Sequence, residues 1–282
     1  MKNKLTIAVL SGKGGTGKTF VSVNLAASAK NATYLDCDVE EPNGHIFLKP
    51  VNIKTKEVFK TLPTFDKEKC IGCRKCIDFC RFNAIAFIKE TPQVFNEICH
   101  SCGGCKFVCP VGAIGETTKC VGTIQSGTTN DINVVTGMLN LGEASGVKVI
   151  SEVLKNSSDN NINIIDCPPG SACTVMESVQ TADYCVLVVE PTIFGIHNFK
   201  MVYELVTLLG KPCGVVINKY TEEVNELTSF CSENNIEILT KIPYNKEIGQ
   251  INAQGSLAYE KDKNTKNTFD NLLNKVIMEI SK

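Results

Sequence analysis

The 282-residue sequence predicts an α/β fold interrupted by a cysteine-rich stretch. Three observations carry this expectation. Short apolar stretches alternate with helical patterns along most of the chain. Tyr184 to Val189 is a continuous apolar run of the kind that suits a strand covered on both faces. Eight cysteines crowd between Cys70 and Cys109, where the alternation breaks off. Hydrophobic residues make up 43% of the chain, ample for a buried core, and length alone leaves one large domain with an insert and two domains in series equally open. The net charge of −1 gives no electrostatic case for nucleic acid or a membrane surface. Fifteen cysteines without a secretory leader point to a reducing compartment, with the cytoplasm as the default. Met1 to Leu10 places Lys2 and Lys4 before an apolar run, but the run is too short for a leader and reads as a strand. No stretch approaches membrane-spanning length.

Taken in order, Leu5 to Leu10 is the first strand, and a helical pattern through Ala29 follows Ser11-Gly12-Lys13-Gly14-Gly15-Thr16-Gly17-Lys18-Thr19. Strand, glycine loop and helix form the setting of a P-loop. Its glycines let backbone N–H groups turn inward around phosphate oxygens, and the helix N-terminus adds its dipole. Lys18 then reaches the β and γ phosphates of ATP, and the Thr19 hydroxyl takes a place on Mg²⁺. Lys13 is a second lysine near the start of the loop. With it, the motif resembles the deviant Walker A of the MinD/ParA-like ATPases, a group that includes the nitrogenase iron protein. In that family such a lysine crosses to the partner's nucleotide, so the resemblance implies a nucleotide-dependent homodimer and a catalytic role for Lys13, Lys18 and Asp38.

The second strand, Ala32 to Leu35, ends in Asp36-Cys37-Asp38. Carboxylates at the carboxyl end of a parallel strand face the nucleotide crevice. By resemblance to the family's switch I, Asp38 positions the attacking water and Asp36 supports the metal shell. Ile162 to Ile165 leads into Asp166-Cys167-Pro168-Pro169-Gly170. This resembles the family's Walker B and switch II, with Asp166 holding Mg²⁺ through water and the Gly170 N–H available to the γ-phosphate. Pro212 to Ile217 is another strand ending at Asn218-Lys219, where the family places a base-reading asparagine. Pro243-Tyr244-Asn245 closes the next strand where the family covers the base. Ile132 to Thr136 reads as a strand and Val147 to Asn156 as a helix. A last helix, Asn264 to Ser281, puts Phe269, Leu272, Leu273, Val276, Ile277 and Ile280 on one face and is expected to dock on the sheet.

The insert repeats itself. Cys70, Cys73, Cys76 and Cys80 recur, 29 residues on, as Cys99, Cys102, Cys105 and Cys109. Three thiolates two residues apart wrap one corner of a cubane, and a fourth that points away suits two clusters exchanging their last ligand. Zinc also uses Cys-x-x-Cys pairs but gains nothing from a run of three. The unit resembles the bacterial two-cluster ferredoxin, and the resemblance implies Cys70, Cys73, Cys76 and Cys109 on one [4Fe-4S] cluster and Cys99, Cys102, Cys105 and Cys80 on the other. Pro110 follows the family pattern, whereas Arg81 stands where the first half should carry a proline. Cys173 has the spacing from Asp166 of an intersubunit cluster cysteine in the nitrogenase iron protein, with Cys120 a partner only by elimination.

The whole chain thus resembles the MinD-superfamily ATPases with an inserted ferredoxin domain. The resemblance implies an α/β fold with a doubly wound, mostly parallel sheet, residues 1–61 and 116–282 forming the ATPase and 62–115 a small inserted α+β ferredoxin-like module. That resemblance implies ATP hydrolysis coupled to electron transfer toward an unidentified redox partner, or cluster or metal delivery to a client protein. Neither nucleic-acid binding nor membrane insertion is expected.

Overall fold

The computed structural model describes residues 4–159, 162–222 and 224–281, so Met1 to Asn3 of the leader reading lie outside it. The chain begins with β1 (Leu5–Ser11), α1 (Lys18–Ser28), β2 (Ala32–Asp36), α2 (Gly44–Leu48) and a long β3 (Val51–Phe65). A small lobe follows, with α3 (Lys75–Phe79), β4 (Ile85–Ile88), β5 (Thr91–Val94) and α4 (Gly104–Phe107). The chain returns along β6 (Ile114–Thr129) and β7 (Ile132–Leu139) and continues with α5 (Val147–Leu154), β8 (Ile162–Asp166), α6 (Cys173–Val179) and β9 (Tyr184–Val189). It closes with α7 (Ile193–Leu208), β10 (Cys213–Tyr220), α8 (Asn225–Glu233), β11 (Glu237–Pro243), α9 (Lys246–Ala253), α10 (Ala258–Lys261) and α11 (Lys263–Ile280).

Nine strands form one sheet in the order β11-β10-β9-β1-β8-β2-β7-β6-β3. The strands from β11 to β7 run parallel, and β6 and β3 add an antiparallel edge. Alternation within β1 explains the double winding. Ala8 and Leu10 pack under α5, α6, α7 and α8, while Ile7 and Val9 face α1, α2 and α11. The predicted last helix docks as expected, burying Phe269, Leu272, Leu273 and Val276 and leaving Ile277 at its margin.

One element differs from the sequence reading. β10 does not stop before Asn218: it runs on to Tyr220 through a bulge in its pairing with β11, with Lys219 at φ +54°. β3 and β6 pair from Val51/Thr128 to Phe65/Ile114, with register shifts after Val51 and after Val58. Beyond the part of β6 that also pairs with β7 they form a two-stranded ribbon that carries the lobe away from the sheet edge.

Candidate functional site

The carboxyl ends of β1, β2 and β8 meet at the centre of the parallel sheet, and the crevice there is set by glycines. Gly15 and Gly17 take left-handed φ values of 78° and 91°, which turn the loop tightly ahead of α1. A Cβ on Gly17 would lie 2.1 Å from Asn218 Nδ2, and one on Gly12 would lie 2.3 Å from the Asn198 carbonyl oxygen. The loop is thus pressed against β10 and α7. No side chain caps the start of α1, so its first amides are left open to an anion. A cavity of about 1180 Å³ opens above, lined by Lys13, Gly14, Lys18, Thr19, Asp38 and Tyr244, among others.

Beneath the loop, Lys18 is 6% exposed and contacts Asp166 Oδ1, with Asp38 Oδ2 at 3.3 Å. Burial alone would lower its pKa, but Asp166 and Asp38 outweigh that and hold it protonated. Asp36 is fully buried and accepts from Gly44 N at 3.0 Å and Asp38 N at 3.3 Å. Burial, reinforced by Asp166 nearby, pushes the Asp36 carboxyl far above its usual range. Asp38 is also raised by burial, against the pull of Lys18. Three carboxyl groups converge on one ammonium. A divalent cation arriving there would reverse the upward shifts of Asp36 and Asp38 and be held by the carboxylates that result, and Thr19 lines the cavity that Asp38 borders.

Several predicted residues are engaged differently from expectation. The Gly170 N–H donates to the Ser11 carbonyl at 2.9 Å instead of standing free. The Asn218 amide donates to the Thr16 carbonyl at 2.7 Å and so braces the loop. Lys13 pairs with Glu190 of its own chain at 3.2 Å, and Thr16 Oγ1 donates to the Lys13 carbonyl. Three partners were missed in the sequence. Tyr34 donates to Asp166 Oδ2 at 2.8 Å, Glu190 holds Lys13, and Lys219 reaches both Glu190 and the Gly15 carbonyl. Glu190 follows β9 directly, so the strand-end logic applied to Asp36 and Asp166 would have found it. Tyr34 is the one hydroxyl-bearing ring in β2, and a buried phenol needs a partner.

At the far end of the ribbon the repeat has a structural counterpart. Gly72, Arg74 and Asn83 take positive φ, as do Ser101, Gly103 and Gly112 at matching positions. Ala84 N donates to Cys80 Sγ and Ala113 N to Cys109 Sγ, each at 3.3 Å. The halves also cross, with Asp66 N donating to the Ala113 carbonyl and Phe95 N to the Ala84 carbonyl. All the cysteines in this stretch are free thiols. Among the described residues no three His, Cys, Asp or Glu side chains close on a ready-made metal position. Two cavities nevertheless sort the cysteines as the resemblance implies. One of about 200 Å³ is lined by Cys80, Cys99, Cys102 and Cys105. The other is lined by Cys70, Cys73, Cys76 and Cys109 and measures only about 20 Å³, room for roughly one water, so a cubane there must push its walls apart. Burial pushes the Cys76 and Cys105 thiols up, which a cation at the sulfurs would reverse. The donor set therefore fits iron–sulfur ligation.

Residues 7–258 match the model of the CobQ/CobB/MinD/ParA nucleotide binding domain. The chain belongs to that family. An uncharacterized protein of Methanocaldococcus jannaschii is 28% identical over 290 residues, covering 98% of this chain and 99% of the relative. An uncharacterized ferredoxin of the same organism is 38% identical over 53 residues, 17% of this chain and 69% of the ferredoxin. Among solved structures, the cell division ATPase MinD of Pyrococcus furiosus superposes with a TM-score of 0.61 at 18% identity, covering 99% of each chain. The septum site-determining protein MinD of Pyrococcus horikoshii, complexed with Mg-ADP, gives 0.58 at 17% identity, covering 97% of this chain and 96% of that one. These two likenesses are of fold.

In this CobQ/CobB/MinD/ParA-family chain an ionic clasp that the sequence did not reveal joins the loop after β7 to the cysteine lobe and its ribbon. Glu143, in the loop after β7, takes Lys60 of β3 at 2.7 Å and Lys119 of β6 at 2.6 Å. Lys60 Nζ also donates to the Asn96 carbonyl inside the lobe at 2.8 Å. Cys173 opens α6 and is exposed, whereas the Cys120 thiol on β6 is directed at the Gly122 carbonyl. Among the described residues no helix is long and apolar enough to cross a membrane.

Proposed function

We propose that this protein is an ATP-hydrolysing iron–sulfur protein in which nucleotide state governs electron transfer through two [4Fe-4S] clusters. The ATPase comprises residues 1–61 and 116–282 and the cluster module residues 62–115. The single observation that carries the reading is a continuous path from the nucleotide crevice to a cluster cysteine. The Val39 carbonyl, directly after Asp38, accepts from Leu139 N at 2.8 Å, and Glu143 N bonds to the Asn140 carbonyl one turn later. Glu143 grips Lys60, Lys60 grips Asn96, and Cys99 N bonds to the adjacent Phe95 carbonyl. A shift of the Asp36–Asp38 segment therefore bears on the lobe through bonded contacts.

In this mechanism the loop amides and the N-terminus of α1 bind the β and γ phosphates, and Lys18 neutralises the charge that develops on them. Asp38, the partly open carboxylate, would orient the attacking water, and Thr19, Asp166 and Asp36 are the residues that would hold or support Mg²⁺, which would neutralise phosphate charge there. Lys13 must leave Glu190 to serve a second copy's nucleotide, so the working form is a nucleotide-dependent homodimer in the cytoplasm. The clusters supply one-electron chemistry, and the chain supplies their exposure and timing.

Anaerobic purification with iron counting tests the reading directly, with about eight irons per chain expected from two cubanes. Reduced protein should then pass electrons to an acceptor at rates that differ between ATP and ADP. Iron-free material, or rates indifferent to nucleotide, would refute it. A second reading has one observation in its favour: Cys73 and Cys102, each lining one of the two cavities, are exposed, as a cluster carrier would need for release to a client. Transfer of iron to an apo-protein on ATP turnover would select that reading.

A further inference from the structure

The two halves of the cysteine lobe share one backbone but not one chemistry. Between the first two cysteines of each half stand Ile71-Gly72 and His100-Ser101. Gly72 and Ser101 occupy the same left-handed position, at φ 69° and 57°, where glycine is the unstrained choice. Ser101 thus accepts a conformation disfavoured for a side chain. Its hydroxyl oxygen is buried and has no hydrogen-bond partner, although Ser101 lines the cavity bounded by Cys80, Cys99, Cys102 and Cys105. A buried hydroxyl left unbonded is costly, and here the missing acceptor belongs where sulfur would sit. His100 beside it is stacked on Phe82 with ring centroids 3.8 Å apart, so the segment is held in place.

We propose that Ser101 is a potential-setting residue: its hydroxyl donates a hydrogen bond to sulfur in the group held by Cys80, Cys99, Cys102 and Cys105, making this the more easily reduced of the two sites. The inference rests on the iron–sulfur reading above. One added electron increases the negative charge on the sulfurs, so a donor aimed at them favours the reduced form and raises the potential. In the first half Gly72 stands at the matching backbone position, and no hydroxyl-bearing residue lines the cavity of Cys70, Cys73, Cys76 and Cys109. The asymmetry gives an internal electron order, with the Gly72 site passing its electron to the Ser101 site.

The test is a potentiometric titration of anaerobically purified protein, followed by visible absorbance and electron paramagnetic resonance, in wild type, S101G and G72S. Ser101→Gly keeps the backbone conformation and removes only the donor. The higher of two one-electron waves should fall by a factor of about ten in the redox equilibrium, about 59 mV, while the lower wave and the iron content stay put. Gly72→Ser is the reciprocal: a Cβ there meets only Phe87 Cζ, at 3.6 Å, so there is room for the side chain at the cost of the same left-handed strain that Ser101 bears, and the lower wave should rise. Unchanged waves in S101G at full iron content overturn the proposal and leave the iron–sulfur reading standing. If S101G loses iron, G72S decides, and an unmoved lower wave overturns the proposal. Iron-free wild-type protein would instead remove the reading on which it rests.

Discussion

The nucleotide crevice and the cysteine lobe are both built for a ligand, but they are held together by opposite means. Around the crevice, the strands β1, β2 and β8 sit mid-sheet between two large apolar layers, and Ile7, Val9, Ala8 and Leu10 are fully buried. Its charged groups are fixed by that scaffold before any ligand arrives. The lobe has a two-stranded sheet, two helices of about one turn each and a small buried core that includes Cys76, Ala84, Ile85, Ala113 and Ile114. A core that small does little to offset the chain entropy of the segment 66–113, so on the iron–sulfur reading much of its order would come from the ligated cysteines.

The largest expected effect separates the two regions at the crevice. Lys18→Ala removes the one ammonium facing Asp36, Asp38 and Asp166. ATP turnover should fall by at least about 10²-fold, and the unpaired carboxylates should lower stability by about 3–5 kcal/mol. Iron content of the folded protein should stay at the wild-type value, since no contact of Lys18 reaches the lobe. Concurrent loss of iron would contradict the separation.

Stripping metal from the lobe with a chelator gives the converse. Hydrogen exchange measured by mass spectrometry should show amides in residues 66–113 approaching unprotected rates while β1, β8 and β9 keep their protection. A lobe that remains protected without metal would mean that its small core suffices.

The clasp is where the two regions meet. Glu143→Ala leaves Lys60, 8% exposed, without its carboxylate, at a cost of about 1–3 kcal/mol. Protease cleavage within the lobe should rise at neutral pH and lose its dependence on nucleotide. Acid should mimic the variant. Burial pushes the Glu143 carboxyl up, but hydrogen bonds from Lys119 and Lys60 outweigh it and hold the pKa below the ordinary value. Its contribution is therefore complete above the unfolded pKa of about 4.3 and fades as pH falls through the lower folded value. Wild-type and variant proteins should become equally cleavable there.

The sheet was legible because buried parallel strands announce themselves as apolar runs, as Tyr184–Val189 and Ile162–Ile165 do, and because glycine loops and strand-end aspartates have narrow uses. The cysteine spacing likewise led to two four-cysteine sets that the structure lines up around separate cavities. The ribbon was not legible. Val51 to Phe65 carries Lys54, Lys56, Glu57 and Lys60, and its exposed edge needs no apolar alternation. Nor was the clasp, because Lys60, Lys119 and Glu143 share no spacing and are brought together only by the antiparallel return of β6. Asn218 is expected from the sequence to read a base, and its hydrogen bond to the Thr16 carbonyl is one that no local pattern signals.

The smallest effect should come from Tyr34→Phe, which probes how far the crevice is prepared in advance. The ring is fully buried, and a Cβ on Gly44 would lie 2.3 Å from its hydroxyl oxygen, so the ring supports the turn whose Gly44 N–H fixes Asp36. Phenylalanine keeps that packing and deletes only the bond to Asp166 Oδ2. Asp166 retains Lys18, so the net loss should be about 1 kcal/mol, seen as a decrease of a few degrees in Tm and a roughly fivefold weaker Mg-nucleotide affinity by calorimetry. Hydrogen exchange in the lobe should not change, because the hydroxyl acts on a carboxylate already anchored to β8 and not on the Val39 to Leu139 path. A larger loss of affinity, with Asp38 also set free, would mean that the scaffold holds the three carboxylates as one coupled unit through Tyr34.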